Sequence, residues 1–252
     1  MNEWWELGAA AFAAGAVDAA MGGGGMLQIP ALFAVFPGVA PAILFGTNKI
    51  ASSFGTMGAA VQYARAAPPR WSTIAPVVVA AFAAAVLGAY AVTLVPAQPL
   101  RKALPFALLA LLLYTALGSA GLAHAPRYQR GREAGVAAVG AGAVGFYDGF
   151  FGPGAGAFYK IVFVRTLGFD FLNAAAPAKI ANVASNLGAI LVFSLGGLLL
   201  WKIALGMAVA NFLGGQVGSR VALRYGNRFI RRAFLTLVTV LVAMTFRDAY
   251  LT

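Results

Sequence analysis

Shifted against itself by 130 residues, the chain comes into register without a gap: Gly15 falls on Gly145, Asp18 on Asp148, Gly22 on Gly152 and Gly24 on Gly154. Lys49, Ile50 and Ala51 fall on Lys179, Ile180 and Ala181. Farther along, Gly58 and Ala59 meet Gly188 and Ala189, Trp71 meets Trp201, Gly88 meets Gly218 and Arg101 meets Arg231. Alanine and glycine coincidences alone could be compositional, but charged residues and tryptophans in one register are not. Whatever this chain folds into is built twice, and a functional residue in one half has a counterpart to be sought in the other.

Apolar stretches span residues 7–21, 26–36, 41–64, 71–95 and 103–121, then 134–151, 155–168, 171–196, 203–219 and 233–246. Of 252 residues 61% are apolar and 10% charged, against about half and a quarter in a soluble domain. Lipid is therefore the expected solvent for most of the surface, and an all-α polytopic membrane protein the expected class. Cysteine is absent and His124 is the single histidine, which leaves no thiolate or histidine-rich metal site and no cofactor to expect. Eighteen basic against seven acidic residues give a net charge of +11. In a soluble protein that would suggest nucleic acid. Here the bases cluster between apolar runs, which marks cytoplasmic loops and no nucleic-acid partner. Met1 to Glu6 carries no basic residue, so no cleavable signal peptide is expected.

The first two stretches of each half fall short of the roughly 20 residues that cross a bilayer, and read as short helices meeting at a glycine-rich break. If each such pair spans once, the halves are parallel and the arginines and lysines divide almost evenly between the two sides. If each pair returns to its own side, the halves are inverted. Arg65, Arg70, Arg127, Arg130, Arg132, Arg165, Arg220, Arg224, Arg228, Arg231 and Arg232 then share one side, against Arg101, Lys102, Lys202 and Arg247 on the other. The positive-inside rule selects the inverted arrangement, with both termini outside. The expected organisation is a first membrane repeat over 1–122, a basic cytoplasmic linker over 123–133 and a second repeat over 134–252. Each repeat is a glycine-broken helical hairpin plus three transmembrane helices.

The breaks read DAAMGGGGMLQIP from Asp18 to Pro30 and DGFFGPGAG from Asp148 to Gly156. Four consecutive glycines cannot remain good helix, and non-helical backbone at membrane depth is tolerated only inside protein or beside a wet cavity. Gly22, Gly23, Gly24, Gly25 and Gln28, with Gly152, Gly154 and Gly156, are thus candidates for an anion site built on free N–H groups at helix starts. Packing of small residues is the alternative, and it suffices for Gly214 and Gly218. Gly140, Gly142 and Gly145 spell a dinucleotide fingerprint, but no strand precedes them.

Lys49 lies about 12 Å beyond Pro41 at 1.5 Å per residue, near the bilayer centre, where a charge is expensive and a functional candidate by default. Ser52 and Thr56 share its helix face, and Asn48 precedes it. Lys179, Asn182 and Asn186 repeat the spacing, so two cation-headed polar stripes suggest an anion between them. Structurally, the lysines could instead pair with Asp18 and Asp148 as ion pairs that fix the fold. Both hold if substrate competes with the carboxylate, and the aspartates are then candidates for coupling transport to a proton or sodium ion. Lys160 has Pro30 as its counterpart and is expected to snorkel. Trp71 and Trp201 read as interfacial anchors; Tyr147, Phe150 and Phe151 could line a pore or simply pack. No nucleophile with a histidine partner and no Walker motif appears.

GGGGMLQIPAL and GTNKIASS in the first half, with GFYDGFFGPGAGAF and AKIANVASNLGA in the second, resemble the TauE/SafE sulfite exporter family of bacterial membrane transporters. The resemblance covers almost the whole chain, although Asn48 is answered by Ala178. It implies a non-enzymatic secondary transporter that moves a small, sulfite-like or organosulfonate-like anion across the bacterial inner membrane by alternating access. The residues themselves leave open a cation transporter using Asp18 and Asp148, an anion channel and a membrane-embedded enzyme on a lipid-linked substrate.

Overall fold

The computed structural model describes residues 2–117, 127–225 and Thr239. His124, the apolar stretch 233–246 apart from Thr239, and Arg228, Arg231, Arg232 and Arg247 lie outside the described residues. Within these bounds all regular structure is helical: α1 (Asn2–Met21), α2 (Gly25–Val35), α3 (Pro41–Ala66), α4 (Trp71–Thr93), α5 (Ala97–Leu117), α6 (Arg130–Phe150), α7 (Ala155–Ile161), α8 (Phe171–Leu195) and α9 (Trp201–Tyr225). A π-helical turn over Val162–Thr166 extends α7. The order repeats at the sequence offset, α1 with α6 through α4 with α9.

Local chemistry sets the boundaries. Pro41 opens α3, where its missing N–H has no helical partner to lose. Asp170 caps α8 by accepting a hydrogen bond from Asn173 N at 2.8 Å. Glycine and proline break both hairpins, as expected, but the hairpin arms are unequal. α1 has 20 residues and α6 has 21, against 11 in α2 and seven in α7. The first arms outrun their apolar stretches because polar residues such as Asn2, Glu6, Arg130 and Glu133 continue a helix as readily as apolar ones; α6 thus begins four residues before 134. Only the second arms are too short to cross a bilayer.

Each half lends its fourth helix to the other. α1 packs along α9 and α4 along α6; α9 also covers α3, and α4 covers α8. The result is one group of α1, α2, α3 and α9 and another of α6, α7, α8 and α4, joined mainly where α3 lies against α8. Glycines make the swapped contacts close, and they do so reciprocally. Gly15 backs onto the main chain of Asn211, and Gly145 onto Ala81, 130 residues before Asn211. Gly88 backs onto Phe146, and Gly218 onto Ala16. A Cβ at any of the four would collide with backbone, so these are small-residue helix contacts of the kind membrane helices use. A buried carboxylate adds to the α4–α6 contact, Glu133 Oε1 accepting from Thr73 Oγ1 at 2.9 Å.

The apolar core follows this division only in part, because the cluster built around α1, α2 and α3 also takes in Val92 on α4, Phe151 after α6 and Phe193 on α8. One cluster runs from Leu7 and Ala11 through Met26, Ile29, Leu44 and Phe45 to Met207; another joins Val77, Ala137, Tyr159, Phe163 and Ala181. Tyr147, Phe150 and Phe151 pack into the first cluster rather than line an opening, with the Phe151 ring 5.5 Å from that of Phe45. Outward, Val79 and Leu87 on α4 and Val209, Leu213 and Val217 on α9 are exposed, more apolar surface than water tolerates. α4 and α8 are also long and apolar enough to cross a bilayer. Trp71 and Trp201 are exposed at the starts of α4 and α9, where interfacial anchors belong. This is a helical membrane protein.

Candidate functional site

The two buried lysines find their partners across the molecule. Lys49 Nζ on α3 lies 2.5 Å from Asp148 Oδ1 on α6, and Lys179 Nζ on α8 lies 2.6 Å from Asp18 Oδ2 on α1. Each pair therefore joins one half's third helix to the other half's hairpin. All four side chains are at most 9% exposed, so each charge depends on its partner: removing one member of a buried pair costs about 3–5 kcal/mol. The carboxylates are further satisfied. Asp18 accepts from Thr56 Oγ1 at 3.0 Å and Gly24 N at 3.5 Å, and Asp148 Oδ2 from Ser185 Oγ at 2.5 Å. Lys179 Nζ also donates to the Asp18 carbonyl.

Beside these pairs the two breaks touch. Gly22 has φ +86° and Gly152 φ +94°, a left-handed region that L side chains avoid. Gly22 O accepts from Ala157 N at 3.0 Å, and the main chains of Gly22 and Gly156 approach too closely for a Cβ on either. Some helix-start N–H groups are bonded within the breaks. Met26 N donates to Gly23 O, Leu27 N to Gly24 O, and Ala155 N to Gly152 O. Polar side chains and the remaining main chain of the breaks form one surface.

That surface lines a small cavity of about 20 Å³ walled by Asp18, Gly22, Gly25, Asn48, Lys49, Ser52, Thr56, Asp148, Gly152, Gly154, Gly156, Asn182 and Asn186, together with Ala155. All but Ala155 are among the residues singled out from sequence. The structure places four other candidates elsewhere. Gly23 and Gly24 are buried within the first break, Lys179 lies behind Asp18, and Gln28 is buried against α9, accepting from Asn211 Nδ2 at 2.9 Å.

Three contributors were not anticipated in these roles. Ser185 follows Asn182 by three residues and so shares its face, a signal that was there to be used. Tyr63, fully buried, donates from its hydroxyl to Ala19 O at 3.0 Å and fixes the end of α1. Lys160 does not snorkel; it is 6% exposed, because α7 sinks between α1 and α8, and its Nζ donates to Ala20 O at 2.5 Å.

The family description "Sulfite exporter TauE/SafE" matches residues 7–245. "Probable membrane transporter protein ORF9" of Sinorhizobium sp is 39% identical over 235 residues, 93% of this chain and 88% of the relative. "Probable membrane transporter protein YfcA" of Escherichia coli is 37% identical over 240 residues, 95% of this chain and 88% of its own length. A "Probable membrane transporter protein" of Haemophilus influenzae is 35% identical, covering 87% of this chain and 85% of its own. No solved structure matches. With the family match and these relatives both running nearly end to end, this chain belongs to the TauE/SafE sulfite exporter family of membrane transporters.

Proposed function

We propose that the protein is a secondary transporter of a small anion, of the sulfite or organosulfonate kind, that opens the cavity between α3 and α8 to either side of the bacterial inner membrane in turn. The observation that carries this reading is the crossing of two buried ion pairs at one polar cavity. An anion entering it meets Lys49 on the wall and Lys179 just behind, and competes with Asp148 and Asp18 for them. Asn48, Ser52, Thr56, Asn182 and Asn186 supply amide and hydroxyl donors that suit oxyanion oxygens. On this reading the aspartates are counter-ions that the substrate displaces, and loosening the pairs loosens the junction of the two helix groups, the motion alternating access needs.

We read the repeats as inverted, related by an axis in the membrane plane as in several secondary transporters. The arginine distribution and the reciprocal packing of α1 on α9 and α4 on α6 support it. Both termini then face the periplasm. Outward movement of one uncompensated negative charge is favoured by about 2.3 kcal/mol per 100 mV of inside-negative potential, so uptake needs an ion that compensates it.

Equilibrium titration of purified protein with sulfite, thiosulfate, sulfoacetate, sulfolactate, sulfate and simple carboxylates tests the reading. Saturable binding of at least one sulfur-containing anion, weakened at least about tenfold in Lys49→Gln, a loss of roughly 1.4 kcal/mol, is the expected result. Binding of cations alone, or anion binding indifferent to Lys49, contradicts it.

A further inference from the structure

Among the described residues, the buried charged side chains at the hairpin breaks and the α3–α8 junction are Asp18, Lys49, Asp148, Lys160 and Lys179; Glu133 sits apart, beside Thr73 and Arg70. Two lysines are neutralised by the two aspartates. Lys160 is not. Its Nζ donates to the Ala20 carbonyl and lies 4.3 Å from the centre of the Phe171 ring. A carbonyl dipole and an aromatic face solvate an ammonium without cancelling its charge. The charged groups that face it are Asp18 on α1 and Lys179 on α8, already paired with each other. Asp148 on α6 is held by Lys49 and Ser185, and its neighbour on α7, Tyr159, is a phenol. The position 130 residues earlier is Pro30, so the other hairpin brings no second such amine.

With the cavity empty, a charged Lys160 leaves this region with one uncompensated positive charge in a low-dielectric interior, which is costly. A monovalent anion in the cavity removes the imbalance. Lys160 is close enough to respond, standing four residues and one helical turn from Gly156, on the same face of α7, and Gly156 lines the cavity.

We infer that Lys160 takes up a proton when a monovalent anion fills the cavity and releases it when the cavity empties, so that anion and proton move together. This rests on the anion-transport reading above. The proton comes from water on the side to which the cavity is open, binds the amine lone pair and returns to water on the other side; no bond to the substrate forms. Linkage makes the effect mutual: the anion strengthens proton binding, and the proton strengthens anion binding. The loaded protein then carries no extra charge, and a monovalent sulfonate is preferred to a divalent anion. Each carboxylate already holds a lysine and a hydroxyl, which leaves Lys160 as the buried charge at this site without a counter-ion.

Purified full-length protein is titrated calorimetrically with methanesulfonate, isethionate, thiosulfate and sulfate, whose own charges are fixed from neutral to mildly alkaline pH. Two buffers of different ionisation enthalpy count the protons taken up per anion bound. The wild type is expected to bind the two monovalent sulfonates best, to take up close to one proton with each at mildly alkaline pH, and to lose about tenfold in affinity per pH unit there. Lys160→Arg cannot give up its proton, so it takes up none on binding and loses the pH dependence. Lys160→Met takes up none and binds at least about tenfold more weakly. A merely structural role for Lys160 would move neither proton count nor pH profile. Binding without proton uptake in the wild type, proton uptake retained in either variant, or preference for the divalent anions overturns the inference. Failure of these four and of sulfite, sulfoacetate and sulfolactate to bind overturns the anion-transport reading itself.

Discussion

At the scale of single residues, the protein holds charge inside a membrane by giving Lys49 and Lys179 each a carboxylate from the opposite half. This arrangement separates energetic from functional consequences. Lys179→Met strands Asp18 in the interior and is expected to lower stability by about 3–5 kcal/mol, whereas Lys179→Met combined with Asp18→Asn leaves no orphaned charge and recovers most of that loss. Thermal unfolding of the detergent-solubilised variants reads the difference; equal destabilisation of both would show that the pair is not the unit. The site itself was largely legible from sequence, because a lysine or aspartate in an apolar run has few explanations and the repeat marks each twice. Which lysine meets which aspartate was not, since the partners lie 99 and 161 residues apart and periodicity says nothing about contacts at that range. Lys160 was misread for a related reason: snorkelling is judged from a helix alone, and α7 is short and enclosed.

At the scale of elements, two glycines on or next to α1 have opposite roles. Gly22 ends the helix with a positive φ and meets the main chain of Gly156 and Ala157. Gly8 lies mid-helix with nothing within 4 Å of where a Cβ would stand. Gly8→Ala should raise stability by about 0.5–1 kcal/mol through helix propensity alone. Gly22→Ala should lose about 1–2 kcal/mol to the left-handed backbone and a further 1–3 kcal/mol to overlap. Thermal unfolding of the two variants side by side checks the sign of each change. The breaks could be read from GGGG and GPG, but the length of the first arms could not, since apolarity marks the lipid-facing part of a helix and not its ends. The lending of α4 and α9 was equally hidden. Gly88 and Gly218 advertise close helix contact, but nothing local names the partner.

For the whole molecule, the two helix groups meet at the α3–α8 junction and where the breaks touch, so transport by relative motion of the groups must change these contacts. Gly25 and Pro153 face each other across the breaks, a Cβ on Gly25 standing 3.3 Å from the Pro153 Cα, and the chain has no cysteine of its own. A disulfide between Gly25→Cys and Pro153→Cys should stop flux reversibly, activity returning on reduction. Undiminished flux in the oxidised protein would place the moving parts elsewhere. The membrane class and the doubled plan follow from composition and the offset repeat alone, whereas the two-group division emerges only in three dimensions.

Flux of labelled sulfite, thiosulfate and sulfoacetate in proteoliposomes bears most directly on whether an anion crosses between the lysine-headed stripes. Wild-type protein should carry at least one of them with saturation, and the Lys49→Gln variant should fold yet carry it at least about tenfold more slowly. Wild-type flux of none of the three, or undiminished flux in the folded variant, would contradict it.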